Sequence, residues 1–182
     1  MSESLLNTPI LWINSYLQEK LQQGLGFSTI PFFPTGPTTL ELLQSATVEE
    51  AGVMSVWDRM FRMRRSAFPH IKTEQALYYF YTTGSDYQLK MVQIQENILR
   101  LMDREDETAE EINRWAYNKG SISVNGQTLT NKFYFHKFKV YHLEEARDIV
   151  DFGTARTYAG NKIIIDYEYH QMPDLTNPSG SV

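Results

Sequence analysis

The sequence predicts an α+β domain, a single mixed, mainly antiparallel β-sheet with two or three helices packed on one face. Two patterns and one turn predict it. Apolar residues recur at helical spacing over 9–22 and 87–103, whereas over 133–143 and 161–170 they alternate with polar ones, the period of a half-buried strand. Asn125-Gly126 separates two short β-prone runs, and a type I′ hairpin turn favours that pair because both its central residues need positive φ. The 182 residues suit one domain of roughly 100–200 residues. Residues 1–172 are therefore read as one domain containing an extended arm and loop over 27–52, and 173–182 as a mobile tail without core residues.

Thr8 before Pro9 is a capping and first-turn pair, and Ile10, Ile13, Leu17 and Leu21 follow at helical spacing until Gly24 and Gly26. In Ile30-Pro31-Phe32-Phe33-Pro34 each proline fixes its own φ and pushes its predecessor out of the α region, which predicts a hydrophobic extended arm. Thr35-Gly36-Pro37 then reads as a turn, and 38–52 as loop with one helical turn around Leu40–Gln44. Val53–Arg65 and Thr73–Thr82 read as strands separated by Pro69, the second through its aromatic run Leu77–Tyr81. Tyr87–Asp103 carries apolar residues at 91, 94, 98 and 101 with a parallel row at 92, 99 and 102, the broad stripe of a helix lying on a sheet.

Thr108 is expected to cap a shorter helix, with Glu111 at the capping-box position, Ile112 and Trp115 facing inward and an end at Asn118–Gly120. Runs 122–124 and 127–129 make the hairpin around Asn125-Gly126, and Phe133–Leu143 and Asn161–His170 make two long strands. The last should place Ile163, Ile165, Tyr167 and Tyr169 on one face and Ile164, Asp166, Glu168 and His170 on the other. Between them, 144–160 is polar and punctuated by glycine, which reads as a loop with some extended structure.

Composition narrows the function. With 42% hydrophobic and 21% charged residues the chain has an ordinary globular make-up, but 13% are aromatic, a class favoured in strands and at the buried centres of interfaces. Seventeen basic against 22 acidic residues leave a net charge of -5, so neither a membrane nor a specific nucleic acid is an expected partner. Absence of cysteine removes disulfides, thiol nucleophiles and thiolate metal sites. The N-terminal MSESLLNTPILW has no basic region ahead of an apolar run, and no stretch approaches the roughly 18 apolar residues of a membrane span, so assembly in the cytoplasm is expected.

The histidines are His70, His136, His142 and His170. His136 and His142 should share a strand face, but six residues of strand hold them about 20 Å apart, too far for one metal with ligands at about 2 Å. His142 with Glu144 and Glu145, or His170 with Asp166 and Glu168, could gather at strand ends, which are as readily solvated termini. Neither GxxxxGK[ST] nor GxSxG occurs, and no serine has a neighbourhood that would activate it. The expectation is a protein that is not an enzyme, with no catalytic residue, metal or cofactor.

Charge patterning points to assembly instead. Arg59, Arg62, Arg64 and Arg65 fall within seven residues, while Asp103–Glu111 holds six acids against one arginine. The basic cluster of one subunit could meet Glu105, Asp106, Glu107 and Glu110 of the next, with Phe32 and Phe33 of the arm adding apolar contact. Repeated head to tail, such a contact closes into a ring. An exposed basic strand and a solvated helix junction would leave the same pattern.

Helix Pro9–Gln22, the stretch VWDRMFRMRRSAFPHIKTEQALYYFYTT, the helix QLKMVQIQENILRLMD and the closing strand NKIIIDYEYHQ follow an order that resembles the tail terminator, or tail completion, proteins of tailed bacteriophages. The stretch FPHIKTEQALYYFYTTG is also similar to neck or tail-completion proteins of cyanophages related to the T-even group. The resemblance covers most of the chain as an arrangement and not as a motif. It implies a virion protein at the tail–neck junction, a homo-oligomeric ring of six that ends the tail tube and touches tube, sheath and neck proteins. A neck or connector (head completion) protein is the nearest alternative, and a small-ligand-binding or catalytic α+β domain is the rival from another class.

Overall fold

The computed structural model describes residues 7–25, 32–33, 51–56, 70–83, 87–124, 126–144, 148–151 and 156–172. The helices are α1 (Pro9–Leu25), α2 (Tyr87–Met102) and α3 (Asp106–Lys119). The strands are β1 (Phe32–Phe33), β2 (Ala51–Val56), β3 (Lys72–Thr83), β4 (Ser121–Val124), β5 (Gln127–Thr130), β6 (Phe133–Glu144), β7 (Asp148–Asp151) and β8 (Arg156–Gln171). Six strands form one sheet in the order β1-β2-β3-β8-β6, with β7 also on β8. Among the described strands only β1–β2 is parallel, so the expected mixed, mainly antiparallel sheet with helices on one face is what the chain forms. The hairpin β4–β5 departs from expectation by standing as a second, two-stranded sheet.

Alternation decides which side of the sheet is dry. Ile163, Ile165, Tyr167 and Tyr169 are all buried, and cross-strand pairing aligns Tyr78 with Ile163, Ala76 with Ile165 and Phe138 with Tyr167 on the same face. Against this face lie Ile94, Ile98 and Met102 of α2 and Ala109, Ile112 and Ala116 of α3. The α2 stripe is thus 94, 98 and 102, whereas Val92 of the expected parallel row is exposed together with Leu89. Helix α1 is buried around most of its girth, since Leu11, Trp12, Asn14 and Tyr16 are buried along with the predicted Ile10, Ile13, Leu17 and Leu21. A helix apolar on nearly every side is an internal one. The Tyr78 hydroxyl donates to Asn14 Oδ1 at 2.8 Å and fixes α1 to β3, while Asn7 accepts from Trp12 Nε1 and donates to the Thr130 carbonyl, tying the start of α1 to the hairpin.

Several local expectations are corrected. Thr8 precedes α1 as expected, but its carbonyl accepts from Leu11 N and its hydroxyl makes no cap bond. Helix α3 starts at Asp106, and Thr108 lies inside its first turn. The buried Thr108 hydroxyl accepts from Arg104 N and donates to the Leu101 carbonyl, so it closes the turn from α2. Gly120, at φ 68 with its N–H on the Ala116 carbonyl, ends α3 in the left-handed conformation that glycine tolerates best. Ala51 and Gly52, within the stretch read as loop, belong to β2. The stretch 144–160, read as a loop with some extended structure, has that extended structure as paired strands: β7 and the start of β8 pair there from Asp148↔Ala159 to Asp151↔Arg156. With β6, they make one long ribbon along β8. The four-residue DIVD is too short and too flanked by charge to announce a strand by period alone.

Candidate functional site

No described element covers the outer face of the sheet. Its rungs follow from the register, which sets Thr73 and Lys137 across Glu168, and Gln75 and Lys139 across Asp166. These residues and Tyr141 line a shallow depression of about 190 Å³. Lys139 Nζ lies 5.0 Å from the Tyr141 ring centroid, and Tyr134 and Tyr141 are exposed. Asp166 Oδ1 is shielded from solvent without a hydrogen-bond partner among the described residues. Strand β6 is the edge of the sheet, and Asn113 of α3 covers part of that edge by donating to the Phe135 carbonyl and accepting from Phe135 N–H, at 2.8 and 2.9 Å.

The bulge between Phe135 and Lys137 reverses the parity of everything after it, so the strict alternation read over 133–143 does not hold. His142 therefore pairs in register with Ile163 of the buried row, and the expectation that it shares a face with His136 fails. His136 instead meets His170 across the strands, Nε2 to Nδ1 at 2.7 Å, with the Tyr134 ring 5.3 and 5.4 Å from the two imidazoles. Burial, then the charge of His170, lowers the His136 pKa, and Glu168 opposes them. Asp166 and Glu168 sit on the same face, but among the described residues no three His, Asp or Glu side chains form a metal-sized cluster.

Glu105, Asp106, Glu107 and Glu110 are exposed at the N-terminal end of α3. They form a surface, yet part of its charge is answered within the chain: Glu105 pairs with Lys137 at 3.1 Å and Glu107 with Arg104 at 3.7 Å. Glu105, at φ 45, is the turn residue between α2 and α3. Glu111 leaves the acidic group altogether, accepting from Arg104 Nη2 at 2.6 Å and from the Tyr16 hydroxyl at 3.0 Å. Burial opposes its ionisation, but those two donors outweigh it and lower its pKa. Around this triad lies a groove of about 500 Å³ with Lys20, Arg100, Arg104 and Arg114 on its walls and Tyr16 and Trp115 among them. Sequence reasoning missed it because it forms only where Lys20 of α1 is brought to Arg100, Arg104 and Arg114 of the α2–α3 region, far away in the chain. Of the arm, Phe32 and Phe33 pair with Val53 and Met54 at the other sheet edge. Arg59, Arg62, Arg64 and Arg65 lie outside the described residues, so only the acidic half of the expected charge pair is placed.

The chain matches no protein-family model and no curated protein. Among the described residues no helix is long and apolar enough to cross a membrane.

Proposed function

We propose that the chain is a structural subunit that assembles with copies of itself, and specifically a ring-forming subunit at the head-proximal end of a phage tail, joining the tail tube to the neck. The assembly reading is carried by the open side of the sheet. That face holds exposed tyrosines, paired charge rungs and a shielded Asp166 oxygen with no donor among the described residues, and it runs into the edge strand β6 beside the acidic corner of α3. An edge strand offers unpaired backbone groups to another chain, and an acidic corner favours a basic neighbour. The phage assignment within that class rests on the resemblance in element order.

The test is the oligomeric state measured by light scattering at low and high salt, with negative-stain micrographs of the same samples. Rings that lose subunits at high salt support the reading. Reversing Asp106 and Glu110 to lysine should disperse them, as should reversing Arg62 and Arg64 to glutamate. A monomer at every concentration that also fails to sediment with phage tails overturns it. The rival, a ligand-binding α+β domain, is favoured by the basic groove between the helices; stabilisation of a monomer by inorganic phosphate or an organic anion would select it.

A further inference from the structure

From the geometry at the bulge we infer that His136 and His170 form a binding site for a divalent transition metal, with Cu(II) preferred. Two imidazole nitrogens, His136 Nε2 and His170 Nδ1, converge to 2.7 Å. A metal with ligands at about 2.05 Å holds two nitrogens about 2.9 Å apart when they subtend a right angle and about 3.3 Å apart in a tetrahedron. The 2.7 Å separation is that of the hydrogen bond between the rings. Exchanging that bond for an ion requires a small turn of the rings and an opening of a few tenths of an ångström, and the right-angled geometry, square-planar or tetragonal, needs the smaller opening. That geometry belongs to Cu(II) and Ni(II), and Cu(II) heads the affinity order among divalent first-row ions.

The sheet makes this arrangement possible. In a regular ladder Tyr134 is opposite His170, and His136 would stand along the strand from it. The extra residue between Phe135 and Lys137 folds His136 back toward His170, and Tyr134 packs against both rings, limiting their rotation. Both histidines lie on the open side of the sheet and are half-exposed, so water can supply the remaining coordination positions. Glu168, which acts on His136 electrostatically, brings negative charge to a cation there, and Lys137, across the ladder from Glu168, is drawn off by Glu105. Binding consumes no redox step. One of the two converging nitrogens carries the proton of their hydrogen bond. Binding therefore shifts that ring to its other tautomer, the proton passing through water to the far ring nitrogen and leaving both converging nitrogens free for the metal.

The experiment is titration of the full chain with Cu(II), and separately Ni(II), at pH 7.5, followed by calorimetry and electron paramagnetic resonance. One Cu(II) per chain with splitting from two nitrogens is expected. His136→Asn and His170→Asn should each weaken it by at least about tenfold, while His70→Asn, which changes an exposed histidine outside the pair, should leave it unaltered. Unchanged affinity in the double variant overturns the site. Should either variant fail to fold by circular dichroism, paramagnetic broadening in the unaltered protein decides. Broadening centred on Tyr134, His136 and His170 supports the site, and broadening elsewhere, or none, overturns it.

Discussion

The two faces of β8 are built from one strand with opposite chemistry. Its inner row of Ile163, Ile165, Tyr167 and Tyr169 is almost entirely out of solvent, while its outer row of Ile164, Asp166, Glu168 and His170 is half-exposed and flanked by lysines from β6. The inner row shares one core with three helices, and the outer row touches only its neighbours within the sheet among the described elements. Stability should therefore be concentrated on one face, leaving the other free to change with little consequence for folding. That division is what an assembling subunit needs, because a surface that must fit a neighbour can then be tuned without endangering the core.

The sharpest way to break this division is to truncate one residue on each side of β6. Phe138 is fully buried and packs on Phe135 and Tyr167, so Phe138→Ala should cost about 3–5 kcal/mol, read from the urea midpoint. A cost below about 1 kcal/mol would mean that the inner face is not where the fold is held. Next in size is Tyr78→Phe, which strips the donor from the buried Asn14 Oδ1. It should cost about 1–3 kcal/mol, and Asn14→Ala added to the Tyr78→Phe variant should then cost less than it does alone.

A third test exploits pH. Burial first, and then the Glu74 carboxylate that accepts from both hydroxyls, raises the pKa of Tyr167 and Tyr169, and burial raises that of Tyr78. Each phenol thus holds its proton more tightly when folded than at the unfolded value of about 10. The stability they confer is complete below about pH 10 and is lost as pH rises above it, at up to about 1.4 kcal/mol per pH unit for each such group. Tyr167→Phe should make the alkaline decline shallower. An equal slope in wild type and variant would show that Tyr167 ionises alike in both states.

Much of this contrast was readable in advance. Strict alternation over 163–170 identified the inner and outer rows residue by residue, because a strand buried on one side has no other way to dispose of its side chains. Asn125-Gly126 likewise marked its hairpin, and Gly126 has the required positive φ of 76. What stayed hidden were features with no period. The bulge that unites His136 with His170 is one inserted residue whose only trace is the shift of the apolar positions from 133 and 135 to 138 and 140, which a reading of strict alternation over 133–143 passes over. Thr108 fits a capping box on paper, but the preceding turn claims its hydroxyl through Leu101 and Arg104. The groove cations depend on the packing of α1 against α2 and α3, a tertiary fact.

The smallest expected effect is the most informative about the outer face. Lys137 and Glu105 are joined at 3.1 Å, with side chains 43% and 56% exposed, and a pair so open to water adds little to stability. The hydrogen bond to Glu105 raises the Lys137 pKa, yet the ammonium is already fully charged at neutral pH, so that shift adds nothing there. Lys137→Ala should accordingly move the urea midpoint little. It should nevertheless free Glu105, making the acidic corner more negative beside the β6 edge, and so strengthen any salt-sensitive contact with a basic neighbour. Light scattering of the variant across a salt series reads this directly. A tighter, more salt-dependent oligomer with unchanged stability would join the acidic corner to assembly, whereas a large loss of stability would assign the outer face a part in the fold that its exposure argues against.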